Sequence, residues 1–354
     1  MLKGITLHWN GVRNGVLAGA TLAALVLIGS RHLLHFDAAL LPYLFASIFA
    51  AMGVAYRYTV WLDRPPTRRL WNRNIEFLLS RDFFQHLMLT AQTLVNQILL
   101  QRFVVPRSRY RWTTHFLLAW GTVIAFAVTF PLTFGWLHFE SAPGRDDLYR
   151  LSVFGFPTFV IFVPEGWIGF IFYNTLNIAA VMVVIGTVMA FTRRILHPDS
   201  VPAQGFVEDM LPLLILFAVS ITGLFLTYSS HLMGGQGFRV LSTLHAFTVV
   251  ILLVYMPFGK LFHIFQRGAQ MGAGVYIFQR KHGVPAPCAS CGKAFTSRMQ
   301  KEDVKDVLKT LGFRYETPPG GATVHDLCPL CRRRMFMWGQ HERLGGKFDA
   351  SQGA

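Results

Sequence analysis

Residues 210–233 read MLPLLILFAVSITGLFLTYSSHLM, a stretch without a single Asp, Glu, Lys or Arg. A hydrocarbon core about 30 Å thick takes roughly 20 helical residues to cross, so this stretch is a transmembrane helix. Working outward, five more apolar runs reach a comparable length, at 11–30, 38–61, 112–136, 166–191 and 242–265. The first ends in Gly29-Ser30-Arg31-His32, which offers no small-x-small cleavage site, and it reads as a span rather than a signal peptide. Composition agrees: 53% of the chain is apolar and only 14% is charged, too thin a polar cover for a soluble surface. Mean hydropathy is +0.40.

Lys and Arg outnumber Asp and Glu by 33 to 18, a formal net charge of +15. These cations lie between apolar runs and form no polar domain, so they report topology and no nucleic-acid partner is expected. The 62–111 connection carries Arg64, Arg68, Arg69, Arg73, Arg81, Arg102, Arg107, Arg109 and Arg111, and the C-terminal tail is also basic. The alternate loops hold only Arg31, Arg145, Arg150 and Arg239. Basic residues resist translocation, which puts both termini in the cytoplasm and the chain in the inner (cytoplasmic) membrane in contact with lipid. Residues 74–104 mix apolar and polar side chains too evenly to span lipid, and read as a pair of amphipathic surface helices. The expected fold is all-α: a polytopic transmembrane helical bundle of about six spans with a small C-terminal cytoplasmic metal-knuckle domain. Its parts are two N-terminal helices (1–61), a basic cytoplasmic segment (62–111), a four-helix membrane core (112–265) and the tail (266–354).

All four cysteines lie in that tail, as Cys288-Ala289-Ser290-Cys291 and Cys328-Pro329-Leu330-Cys331. Each Cys-x-x-Cys turns two thiolates toward one ion, and two such turns complete a closed tetrahedral site. Structural zinc is the expected occupant, with rubredoxin-like iron as the alternative. His325 reads as a neighbour of this site, and Arg332, Arg333 and Arg334 as a solvated face. Between the pairs, Val304, Val307, Leu308 and Leu311 mark one face of a helix.

An ionisable side chain inside a span needs a reason to be there. The sixth run carries two, His245 and His263, eighteen residues apart. In one continuous helix that spacing is five turns, placing both rings on one face about 27 Å apart. Two stacked hemes, each held by imidazoles from different helices, would account for it. His115, near the cytoplasmic end of the third span, is the expected partner of His263. For His245 the candidates are His231, which mirrors it across the turn near Phe238 and is favoured, and His138. His32, His35, His86 and His197 read as surface residues.

With these residues in view, Leu244-His245 followed by Tyr255-Met256-Pro257-Phe258-Gly259-Lys260-Leu261-Phe262-His263 resembles the last heme-bearing helix of the respiratory nitrate reductase gamma subunit family. That family includes cytochrome b subunits linked to sulfite reductase and heterodisulfide reductase. Arg111-Trp112-Thr113-Thr114-His115, with Trp120-Gly121 after it, is similar to the family's first heme helix. The resemblance covers roughly residues 75–270. It implies a membrane-anchoring b-type cytochrome with one or two heme b groups, passing electrons between the quinone pool and cytoplasmic iron-sulfur and catalytic subunits, molybdopterin-bearing ones among them. It implies His115 and His263 at the inner heme and His245 at the outer one. The chain departs from the pattern at Ala125, where the family has a further ligand ten residues after the first, at Gly259 in place of a hydroxyl residue, and in an additional span before the core. Two other readings use the same residues: a proton-coupled transporter with relaying histidines, and a non-heme membrane anchor that recruits a cytoplasmic enzyme through its zinc tail. Lys260 reads as an interfacial lysine.

Overall fold

Helices dominate the computed structural model, which describes residues 7–142, 144–196, 205–313 and 323–343. In chain order they are α1 (Trp9–Gly29), α2 (Leu41–Leu62), α3 (Pro65–Leu78), α4 (Phe83–Thr93), α5 (Arg109–Thr133), α6 (Trp167–Leu196), α7 (Leu211–Leu232), α8 (Phe238–Tyr255), α9 (His263–His282), α10 (Arg298–Thr310) and α11 (Pro329–Arg343). Six of them, α1, α2, α5, α6, α7 and α8, are long and apolar enough to cross a membrane, with short lead-in turns before α2 and α7. The helical, membrane-spanning class expected from the sequence therefore holds. Two small antiparallel sheets accompany it: β1 (Leu137–Ala142), β2 (Arg145–Val153) and β3 (Phe156–Phe162) form one, and β4 (Pro285–Pro287) with β5 (Ala294–Ser297) the other.

The chain divides into two compact units, Met1–Val60 with Val95–Gly268, and Trp61–Leu94 with Ala269–Ala354. The first unit is the bundle. Ala46 and Ala50 of α2, Val183 of α6, Ile215 and Leu216 of α7, and Leu252, Leu253 and Met256 around the end of α8 form its core, with Leu118, Phe126 and Phe130 of α5 packed against them. In lipid such packing depends on close backbone approach at small residues. Gly121 of α5 supplies one: a Cβ there would lie 2.8 Å from the Ala179 carbonyl oxygen of α6. Gly11, Gly15 and Gly19 form a one-in-four stripe on α1 that meets Tyr56, Met52 and Ile48 of α2.

The last span departs from expectation. The 242–265 run is not one helix: α8 stops at Tyr255 and α9 starts at His263, with a turn over Met256–Phe258 and a single 3₁₀ turn at Lys260–Phe262 between them. Proline has no N–H for the helix ladder, which accounts for the break at Pro257, and Gly259 follows in an extended conformation. The five-turn relation between His245 and His263 therefore fails, because it assumed an unbroken helix.

Breaking a helix strands backbone carbonyls that lipid cannot satisfy. Arg57 of α2 answers that need. Its Nη1 donates to the carbonyls of Pro257 at 2.6 Å and Gly259 at 3.2 Å, and its guanidinium lies 4.4 Å from the centroid of the Phe262 ring. Pro257 in turn packs on Gly53, one turn earlier on α2, where a Cβ would sit 2.8 Å from the proline ring.

The second unit is organised around Asp303 of α10, which is 4% exposed. Arg69 Nε at 2.7 Å and Arg73 Nη2 at 2.8 Å, both from α3, and Tyr276 Oη at 3.0 Å, from α9, all donate to its carboxylate. Burial alone would raise this carboxyl, but the hydrogen bonds from Arg73 and Arg69 outweigh it and hold the group below its ordinary value. His86 of α4, expected at the surface, is buried instead. Its Nδ1 meets the Phe77 carbonyl at 2.8 Å and its Nε2 meets Gln279 at 2.8 Å, so it staples α4 to α3 and α9. His197 lies outside the described residues.

Candidate functional site

His115 stands on α5 with Nδ1 2.6 Å from Gln101 Oε1. Gln101 belongs to the loop before α5, in a left-handed conformation (φ 51°), a strained placement for a residue with a side chain. That loop is pinned by Trp112 and Trp120, whose indole N–H groups donate to the Leu100 and Leu99 carbonyls. His263, the first residue of α9, donates Nδ1–H to the Lys260 carbonyl at 2.6 Å. A carbonyl can only accept, so this fixes the tautomer and leaves Nε2 as a bare lone pair. At both histidines Nε2 has no hydrogen-bond partner among the described residues. The two side chains are within electrostatic reach of each other and of Arg267, whose guanidinium lies 4.1 Å from the centroid of the Phe103 ring. Phe103 in turn meets His115 edge-on at 5.7 Å.

His245 of α8 has the same form. The Thr222 hydroxyl donates to the Ala218 carbonyl at 2.7 Å and accepts from His245 Nδ1 at 2.9 Å. The ring borders a cavity of about 330 Å³ within the bundle. Hydroxyl and amide groups share the wall with it: Tyr43, Thr122, Tyr173, Asn177, Ser220 and Thr227. Neither partner considered for His245 lines this cavity. His231 is exposed in the last turn of α7, and His138 is on β1, where its ring stacks on His35 at 4.0 Å. Ala125, at the position that carries a ligand in the resembled family, does line it. A second cavity of about 400 Å³ is walled almost wholly by apolar side chains and shares Ser47, Phe126, Phe130 and Leu253 with the first.

The four-cysteine cluster forms as its spacing implies. One sulfur from each of Cys288, Cys291, Cys328 and Cys331 lies within 4.8 Å of the other three, and Cys291 and Cys328 are 3.9 Å apart. Thiolates at about 2.3 Å from a shared tetrahedral ion would stand about 3.8 Å apart. Cys288 caps the hairpin of β4 and β5, with its N–H on the Lys293 carbonyl, and Gly292 takes the left-handed turn (φ 69°) that closes the knuckle. The Cys328 N–H donates to Cys288 Sγ at 3.1 Å. Burial raises the Cys288 thiol, but backbone N–H groups from Cys328, Cys291 and Ser290 outweigh it and leave it well below its ordinary value. His325 belongs to a single 3₁₀ turn just before the second pair and is not one of the clustered ligands.

Sequence reasoning passed over Gln101, Arg57, Thr222 and Arg267. Arg57 carried the clearest signal, a cation inside a span. Compared with protein-family models, curated proteins and solved structures, the chain matches none.

Proposed function

We propose that this chain is a membrane-anchoring b-type cytochrome subunit, in which His115 and His263 hold one heme and quinol is oxidised in the cavity beside His245. The observation that carries the reading is the pair of imidazoles in one unit, each with Nδ1 tied to a fixed acceptor and Nε2 bare. Histidines that bind metal are held in this way, since the outer hydrogen bond sets the tautomer and ring orientation. Arg267, in reach of both rings, would offer positive charge to the carboxylates of a heme held there. A heme bound there accepts and returns one electron at a time.

The surroundings of His245 do not fit a second heme held by two histidines, because one imidazole lines the cavity and Ala125 stands where the resembled family has another ligand. They do suit a quinol headgroup. The volume is at the lower end of the range for small-molecule sites, the wall combines apolar surface with hydroxyl and amide groups, and the apolar cavity next to it suits an isoprenoid tail. His245, held by Thr222, is placed to accept at Nε2 one of the two protons that a quinol would release on oxidation; the second proton would leave to water, and the two electrons would leave one at a time. The basic 62–111 connection supports a cytoplasmic location for both termini, where iron-sulfur and catalytic subunits would take the electrons. The four thiolates form a closed tetrahedral set, which suits structural zinc, and a single iron would take the same ligands.

Heme content per chain tests the ligand assignment. The wild type should carry one heme. His115→Ala and His263→Ala should abolish it while helical circular dichroism persists, and His245→Ala should retain it. Heme retained in both His115→Ala and His263→Ala would overturn the assignment.

A further inference from the structure

The loop after α1 and the sheet after α5 meet within the first unit. Trp136 Nε1 donates to the Leu25 carbonyl, Gly135 lies against the His35 carbonyl, and Gly155 against the Arg31 side chain. Arg31, His32 and Leu33 are three consecutive non-glycine residues in the left-handed region, at φ 51°, 56° and 68°. Such residues persist only where their surroundings hold them. This strained turn leads into His35 and delivers its ring onto His138 of β1, with centroids 4.0 Å apart and planes 16° from parallel. Glu140, two residues along β1 and so on the same face, accepts from His138 Nε2 at 2.7 Å. One ligand atom from each of the three side chains lies within 4.8 Å of the other two.

His138 Nδ1 is buried and has no hydrogen-bond partner among the described residues. With Nε2–H given to Glu140, that nitrogen is a buried lone pair, an unfavourable state unless something electrophilic meets it. A carboxylate and a second imidazole stand beside it. We propose that His35, His138 and Glu140 bind one divalent transition-metal ion of the zinc type, separate from both the four-cysteine cluster and the bundle histidines. Two imidazoles and one carboxylate are a ligand set that zinc accepts with a fourth position left to water; to join it, the Glu140 carboxylate leaves the His138 Nε2–H, which points away from Nδ1, and swings to the ion. An imidazole lone pair lies in the plane of its ring, so the stacked rings splay about χ2 as the ion enters, and His35, which is only partly buried, has room to turn. Arg31 lies within electrostatic reach of His35 and opposes the ion, and the Glu140 charge offsets it.

Cobalt titration of the full-length, metal-stripped protein in detergent tests the site. Two equivalents should bind, one with the thiolate-to-cobalt charge-transfer band of the cysteine cluster and one with only the weaker visible bands of nitrogen and oxygen ligands. Cys291→Ser should remove the first alone. His35→Ala and, independently, His138→Gln should remove the second alone, and Glu140→Gln should weaken it, with helical circular dichroism and elution volume unchanged. The absence of a thiolate-free equivalent in the wild type would overturn the proposal, as would its survival in both histidine variants. Two histidine substitutions on separate elements keep the test decisive if one of them unfolds the sheet.

Discussion

Arg57 illustrates how much one side chain carries in a bundle. It caps carbonyls that the break at Pro257 leaves without partners, and hydrogen bonds from a charged donor contribute about 1.5–3 kcal/mol each. Arg57→Leu should therefore lower bundle stability by at least that amount, read as a drop in the thermal midpoint in detergent, and should loosen His263, six residues after Pro257. An unchanged midpoint would mean that water or lipid headgroups cap the turn instead. Asp303 plays the matching part in the second unit. Asp303→Asn leaves two guanidinium groups facing a neutral amide, and breaking a buried pair costs about 3–5 kcal/mol. The pH dependence follows from the depressed carboxyl. The contribution is complete above the unfolded value of 3.8 and is lost as pH falls through the lower folded value, because the unfolded chain then binds the proton more readily. Protection of the α3 and α10 amides, taken relative to the intrinsic exchange rate at each pH, should fall on acidification below about pH 4, and Asp303→Asn should be poorly protected at neutral pH and flat across this range. Wild-type protection that ignores acid would contradict the account.

At the scale of elements, the turn between α8 and α9 decides where His263 stands. Gly259 is closely covered by the Tyr255 ring, and a Cβ would strike it. Gly259→Ala should displace Tyr255, whose hydroxyl donates to the Val207 carbonyl at 2.8 Å, and should lower heme occupancy with α1–α7 intact. An overpacked contact of this kind costs about 1–3 kcal/mol. This turn is also where the sequence was least legible. A run of apolar residues over 242–265 satisfies a hydropathy window whether or not its helix is continuous, and tertiary support from Arg57, two hundred residues away, is invisible in a local window. Pro257 was the available warning. The six spans were legible because length and absence of charge suffice for them. The cysteine cluster was legible because Cys-x-x-Cys fixes its own geometry. The β1–β3 sheet was not foreseen: its strands lie between two spans, where they read as a connecting loop, and they depend on cross-strand partners such as His138 with Ser152. His86 was misjudged for the related reason that a polar ring next to Arg81 and Asp82 reads as solvated until Gln279 and the Phe77 carbonyl close around it.

For the whole molecule, the division into two units predicts two separable responses. Chelation of the metal from the four-cysteine cluster should unfold the knuckle, since a domain with so small a core depends on its ion, and proteolysis should then open around β4 and β5. Heme absorption should be unaffected. Loss of heme on chelation would contradict this separation. The central claim is that the bundle passes electrons from quinol to a single heme held by His115 and His263. Its most direct test is the visible spectrum of the oxidised, purified protein in liposomes before and after a lipid-soluble quinol is added. The account predicts that one low-spin b-type heme per chain becomes reduced, and that His245→Leu slows this step without removing the heme. A colourless protein, or a heme that a chemical reductant reduces and quinol does not, would contradict it.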